Sequence, residues 1–328
     1  MDSVLKILLV LMSVTFAAAC GDSSDDADDE TDAGGDGDDV VVDPLEGLEP
    51  PPADRLPTVT GTCPGFVDGD GCTEDGESLI CTFQPADVDL PRSVRIYLSD
   101  AARDTDESVL AFFWHGNLGA AANVTVPLIG LGPDVVDSIV EGGGIVASPE
   151  IEEGRVQNLS MLDWMAATGI GPEDDFLVMD EVTACAIEQL GVDTRRIHST
   201  GLSAGAIQTG RLTQVRSNYL ASVVLFSGAV GGTIESQDPD NLLPAMIFHG
   251  GPSDVVLPFR FQDEAESARE KLEGAGNMVV FCPHTEGHQV PAGGPEAGWQ
   301  FMQAHPYGIE SPWAEALPED LATDYCEL

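Results

Sequence analysis

Between residues 93 and 282, seven short runs rich in β-branched and aromatic residues alternate with four helix-compatible runs, and few folds accept that order. The strand candidates are 93–98, 109–114, 144–148, 196–200, 222–226, 245–249 and 278–282; the helix candidates are 133–141, 172–190, 204–215 and 261–272. Strands separated by helices cannot pair as tight hairpins, because each helical crossover returns the chain parallel to where it began. The pattern predicts an α/β fold: a mostly parallel central sheet with helices on both faces, in a single domain. In such sheets reactive groups collect beyond the carboxyl ends of the strands, so the segments just after each run are where chemistry is sought.

The run 196–200 leads into Gly201-Leu202-Ser203-Ala204-Gly205 and then into a helix candidate. G-x-S-x-G at a strand-to-helix junction is the pattern of a nucleophile elbow. The serine occupies a strained turn that lifts its Oγ clear of the sheet, so the residues two before and two after it must be small. With 36 glycines in the chain the pattern alone is weak, since Ser-Gly turns are common. Its partners decide.

Two further segments carry the residue types such a serine needs. After 245–249 the chain reads His249-Gly250-Gly251-Pro252-Ser253-Asp254, and after 278–282 it reads His284-Thr285-Glu286-Gly287-His288. The order Ser203, Asp254, His288 is one in which a histidine takes the serine proton and an aspartate fixes the imidazole tautomer. Asp238 and Asp240 compete with Asp254 but lie in a loop with no strand directly before it. His284 competes with His288 but follows its strand too closely to swing back over the sheet edge. Upstream, Trp114-His115-Gly116-Asn117 ends the run 109–114. A turn there supplies one backbone N–H for an oxyanion, assigned to Asn117, and the residue after the serine, Ala204, supplies the second. The side chain of His115 is read as structural. Met161, Trp164 and Trp299 are candidates for lining a pocket or for core.

With these residues identified, the chain resembles the α/β-hydrolase superfamily, and within it the polyhydroxybutyrate depolymerase, feruloyl esterase and acetylxylan esterase-like group. The resemblance spans about residues 90 to 305 and rests on WHGNLG, on GPEDDFLVMDEV leading through Cys185 to GLSAGA, on FHGGPSDVVLPF and on EGHQVP. It implies a serine esterase that hydrolyses carboxylic esters through an acyl-enzyme, with Ser203, Asp254 and His288 as its triad. The aspartate loop is one residue longer than the family's usual HG-x-x-D, and EGHQVP lacks the aromatic commonly found between the histidine and the proline. A serine peptidase of the same fold and a non-catalytic surface-binding lipoprotein on the same scaffold are the alternatives.

The amino-terminal region is expected to lie outside the folded domain. Residues 1–19 have Lys6 near the front, an apolar stretch too short to cross a bilayer, and Ala17-Ala18-Ala19 before Cys20, which together read as an export signal. Cys20 resembles the lipidated cysteine of bacterial lipoproteins, implying a membrane anchor and an outer-membrane or cell-surface location, with plain secretion as the alternative. Residues 20–56 are Asp- and Gly-rich and cannot bury enough surface to fold, so they read as an acidic tether ahead of a catalytic domain at 57–328. The net charge is −44, and up to Asp54 the chain holds 15 of its 57 acidic residues but one of its 13 basic ones, Lys6. The folded part is therefore strongly acidic too. That excludes nucleic acid as a partner, because a phosphate-binding surface needs Lys and Arg.

After Cys20 six cysteines remain: Cys63, Cys72, Cys81, Cys185, Cys282 and Cys326. In an exported chain an even number implies three disulfides. At least one of the clustered Cys63, Cys72 and Cys81 must reach outside the cluster, and Cys282 is expected to pin the C-terminal tail through Cys326. No spacing suits zinc, and no cofactor is expected. The expected partner is an ester substrate, small or polymeric; oligomeric state is unreadable.

Overall fold

The computed structural model describes residues 45–66, 69–103, 105, 107–116, 128, 130–150, 174–232, 234 and 238–328, all within one compact unit, Asp43–Leu328. The export signal 1–19, Cys20, the tether up to residue 44, Asn117, Met161 and Trp164 lie outside the described residues.

In chain order the elements are β1 (Cys72–Asp75), β2 (Ser78–Phe83), β3 (Arg92–Tyr97), β4 (Ser108–Trp114), α1 (Pro133–Glu141), β5 (Ile145–Pro149), α2 (Asp174–Leu190), β6 (Val192–Leu202), α3 (Ala204–Val215), β7 (Ser222–Phe226), β8 (Ala245–His249), β9 (Val255–Val256), β10 (Phe259–Arg260), α4 (Phe261–Gly274), β11 (Val279–Pro283) and α5 (Gly294–Ala304). Among the described residues nine strands form one sheet in the order β1-β2-β3-β5-β4-β6-β7-β8-β11. From β5 to β11 every pairing is parallel, while β1, β2 and β3 extend the sheet antiparallel. Strands β4, β5, β7 and β8 are buried along their whole length. This is the signature of strands covered on both faces, and it explains why they read as unbroken apolar runs.

All seven strand candidates and all four helix candidates are present, some with ends shifted by a few residues. The β1–β2 hairpin, the short β9–β10 hairpin and helix α5 were not expected. The β1–β2 hairpin lies in a Gly- and Asp-rich stretch without an apolar alternation, and the disulfide Cys72–Cys81 joins residues directly opposite each other in its register. Helix α5 opens on Gly293, Gly294 and Pro295, which read as a loop. Proline in the first turn costs no hydrogen bond, and buried Ala297, Gly298, Phe301 and Met302 give the helix its packing face.

The other two disulfides are Cys63–Cys185 and Cys282–Cys326, so Cys63 does reach outside the cluster and the tail is pinned as expected. Next to the first, one face of α2 holds the incoming chain. Glu181 accepts hydrogen bonds from Thr60 N–H at 2.9 Å, Thr60 Oγ1 at 2.8 Å and Gly61 N–H at 2.7 Å. Gln189 Oε1 accepts from Phe66 N–H at 3.1 Å. Spacings of four residues put Glu181, Cys185 and Gln189 on one helix stripe. Residues 45–56, assigned from composition to the tether, are also held: Arg195 donates to Leu45 O and Leu48 O, and Asn218 donates to Arg55 O at 2.7 Å. Among the described residues no helix is long and apolar enough to cross a membrane.

Several histidines are structural. His198 Nδ1 lies 2.9 Å from Ser222 Oγ, and His305 is bonded through both ring nitrogens to Phe301 O and Ser311 Oγ. Burial, with Arg196 and His305 adding positive charge, pushes His198 down to about 3; burial pushes His305 and His115 down to about 4. Between an unfolded value of about 6.5 and these folded values the unfolded chain binds protons that the folded one refuses. Stability is therefore complete above pH 6.5 and lost as pH falls, by up to about 1.4 kcal/mol per pH unit for each histidine. Thermal unfolding is expected to give a Tm that drops steadily from pH 7 to pH 4.5; a flat Tm across that window contradicts this account.

Candidate active site

Strand β4 has β5 on one side and β6 on the other, so the chain leaves β4 in one direction and returns past it in the opposite one. The strand order reverses there, and in open α/β sheets ligands bind at such a point, beyond the carboxyl ends of the strands. Because β4, β6, β7, β8 and β11 are parallel, the residues that follow them all emerge at this edge. Those residues include Gly116, Ser203, Ser227, Asp254 and His288.

Ser203 occupies the turn between β6 and α3 with φ 58° and ψ −118°. That backbone is unfavourable for a residue with a Cβ and persists only where its surroundings fix it. Here Ser203 N–H donates to Phe226 O and Ser203 O accepts from Ile207 N–H, both at 2.9 Å. The glycines are required by contact. A Cβ on Gly205 would lie 1.9 Å from Trp114 O, and one on Gly201 would lie 2.5 Å from the carbonyl carbon of Gly205. The start of α3 thus rests on the end of β4, with Gly116 positioned so that a Cβ on it would come within 3.3 Å of Ser203 Cβ. Ala204 opens α3, so its N–H belongs to the first turn, where no intrahelical acceptor exists and the helix dipole favours negative charge. The described part of the turn after β4 ends at Gly116, one residue short of Asn117.

Asp254 follows a single 3-10 turn, Gly251–Ser253, which accommodates the longer aspartate loop. Its carboxylate is fully buried. Oδ1 accepts from His288 Nδ1–H at 2.7 Å, and Oδ2 accepts from Ser227 Oγ at 2.7 Å and Gly250 N–H at 2.8 Å. Burial works to raise its pKa and is outweighed by the bonds from His288, Gly250 and Ser227, which hold the carboxyl below its ordinary value. It therefore stays ionised at neutral pH. The loops after β8 and β11 are clasped together, since Gly287 N–H donates to Gly250 O at 3.2 Å and a Cβ on Gly250 would lie 1.9 Å from Gly287 O.

A carboxylate only accepts, so His288 carries its proton on Nδ1 and leaves Nε2 as the basic nitrogen. The ring is 23% exposed. Phe261 stacks on it with centroids 4.7 Å apart and planes 23° from parallel. The aromatic neighbour lacking in EGHQVP thus comes from the start of α4. Phe261 N–H also donates to Asp254 O at 2.9 Å, so the small β9–β10 hairpin is closed at its base by two residues that both touch His288.

Asp254 and His288 are thus joined, with Ser203 on the same sheet edge. Among the described residues Ser203 Oγ makes no hydrogen bond, to His288 Nε2 or to any other group. Such contacts are often long before substrate arrives. The rival residues are engaged elsewhere: Asp238 and Asp240 pair with Arg55, and His284 Nδ1 accepts from Glu286 N–H at 3.2 Å. His115 is buried with Nδ1 2.5 Å from Gly116 O, a structural position. Trp299 packs against two core clusters. Ser227 and Phe261 were not expected from sequence. Among the described residues no group of three or more His, Cys, Asp or Glu side chains is placed to hold a metal ion.

No protein-family model and no curated protein matches this chain. Solved structures do. Native sOPH superposes with a TM-score of 0.59 at 17% identity, over 83% of this chain and 97% of its own. Native pOPH gives 0.54 at 16%, over 80% and 94%. A thermostable esterase gives 0.55 at 16% over 70% of this chain, which spans only 63% of that enzyme's length. At such identities the likeness is one of fold, and with the strand order and the strained serine turn it establishes that this chain has the α/β-hydrolase fold.

Proposed function

We propose that the protein is a serine hydrolase of carboxylic esters that works through an acyl-enzyme. The observation that carries this reading is the buried, hydrogen-bonded Asp254–His288 pair at the sheet edge where Ser203 is held at positive φ. Ser203 Oγ attacks the ester carbonyl while His288 Nε2 takes its proton. The tetrahedral oxyanion is met by the N–H of Ala204 and, in this proposal, of Asn117. Collapse breaks the bond to the alkoxy group, which leaves with the proton from His288. Water, deprotonated by His288, then attacks the acyl-enzyme; its collapse releases the acid and returns the proton to Ser203. Asp254 stays ionised and stabilises the imidazolium throughout.

The resemblance in sequence motifs favours an enzyme of the polyhydroxybutyrate depolymerase, feruloyl esterase and acetylxylan esterase-like group. The thermostable esterase among the structural neighbours is in keeping with ester chemistry. Three disulfides support an oxidising, extracellular environment. In the same reading residues 1–19 are removed on export, Cys20 carries the lipid, and the acidic segment that follows holds the catalytic domain away from the membrane.

The test is chemical. A fluorophosphonate probe added to the folded protein is expected to modify Ser203 stoichiometrically, located by peptide mass, and to abolish hydrolysis of p-nitrophenyl acetate. A protein that neither reacts with the probe nor cleaves the ester would favour a binding module on the same scaffold.

A further inference from the structure

Among the described residues two non-glycine positions have positive φ, Ser203 at 58° and Ser227 at 51°. They stand in equivalent places, after β6 and after β7, and their turns are hung in the same way. Ser203 N–H donates to Phe226 O on the neighbouring strand at 2.9 Å, and Ser227 N–H donates to Phe248 O on the next at 3.0 Å. Such a backbone is where glycine is expected, because it lacks the Cβ that makes the region unfavourable. A serine that occupies it contributes something glycine could not, and the candidate is its hydroxyl. At Ser203 the hydroxyl points to chemistry. At Ser227 it is fully buried and makes one hydrogen bond, to Asp254 Oδ2 at 2.7 Å.

We propose that Ser227 is a positioning residue for the Asp254–His288 pair, its buried hydroxyl fixing which carboxylate oxygen faces the imidazole; this deepens the hydrolase reading given above and rests on it. A carboxylate is free to turn about its Cβ–Cγ bond unless its oxygens are held differently. Ser227 Oγ and Gly250 N–H both donate to Oδ2, so Oδ1 alone is left for His288 Nδ1–H. Two donors on Oδ2 fix the torsion; one would allow it to swing. The hydroxyl also directs the positive end of its dipole at the carboxylate and so weakens the negative potential felt by the imidazole. Without it the carboxylate can turn, and the bond it accepts from His288 Nδ1–H is weakened.

Two variants separate hydroxyl from backbone. Ser227→Ala removes the oxygen and keeps the Cβ at positive φ, while Ser227→Gly removes both the oxygen and the unfavourable backbone. The low-field proton resonance of His288 Nδ1–H, assigned with His288→Gln, reads the bond to Asp254 whether or not the protein turns over ester. Both variants are expected to move that resonance upfield and broaden it through exchange with water. Both should also lower kcat for p-nitrophenyl acetate by about 10–100-fold with KM little changed, the range known for a lost partner behind a metal-bound histidine. An unmoved resonance in both variants overturns the proposal. So does a moved resonance with wild-type kcat, or a loss confined to Ser227→Ala, which would make the backbone responsible. If wild-type protein fails to react with fluorophosphonate, the hydrolase reading fails, and the resonance still decides whether Ser227 holds the pair.

Discussion

Alanine at position 203 is expected to lower kcat for p-nitrophenyl acetate by about 10⁵-fold or more and to leave the fold unchanged. The chemical half follows from the mechanism: without Oγ no acyl-enzyme forms, and only the oxyanion donors and substrate binding remain to assist direct attack by water. The structural half follows from what Ser203 does not do. Its hydroxyl makes no hydrogen bond among the described residues, and alanine tolerates φ 58° no worse than serine. Thermal unfolding should therefore place the variant within about 0.5 kcal/mol of wild type. Retention of more than about 1% of kcat in a folded Ser203→Ala protein would sink the assignment.

Asp254→Asn is expected to lower kcat by about 10⁴-fold, for a reason specific to this site. The carboxamide has one acceptor oxygen and one donor nitrogen. Two donors, Ser227 Oγ–H and Gly250 N–H, converge on Oδ2 and demand the oxygen there. The amide nitrogen must then take the place of Oδ1 and donate to His288 Nδ1. That shifts the ring proton to Nε2, which can no longer accept from Ser203. Steady-state kinetics and an NMR assignment of the imidazole tautomer check the two halves together. A variant that retained the Nδ1–H tautomer, or lost less than about tenfold in kcat, would contradict the geometry.

Most of the parallel sheet was legible because its strands are covered on both faces. Burial on two sides turns a strand into an unbroken apolar run, and β7 and β8 match their expected bounds residue for residue. The β1–β2 hairpin and α5 escaped for opposite reasons. The hairpin has few buried side chains to make a pattern and is closed covalently by Cys72–Cys81, whereas α5 begins in residues that elsewhere mark turns. The candidate site divides similarly. Ser203, Asp254 and His288 stand beside recognisable glycines just after strands, so local spacing reveals them. Ser227 and Phe261 reach the same site only through the order of strands in the sheet, and no local signal distinguishes the serine of Phe226-Ser227-Gly228 from a turn. The glycines at 250 and 287 were visible, but the reason for them, a clasp between two loops far apart in sequence, was not.

The stripe on α2 has a mechanical meaning. A pull on the chain ahead of Leu45 meets Arg195 near the amino end of β6, then Asn218, Asp238 and Asp240 around Arg55, then Glu181, and finally the covalent link from Cys63 to Cys185. Tension is thus carried into α2, the entry end of β6 and the segments that precede β7 and β8. The turns bearing Ser203, Asp254 and His288 hang from the exit ends of their strands and lie off this path. A domain loaded from its amino terminus, as a tethered one would be under flow, can bear that force while the geometry of its reactive edge stays slack.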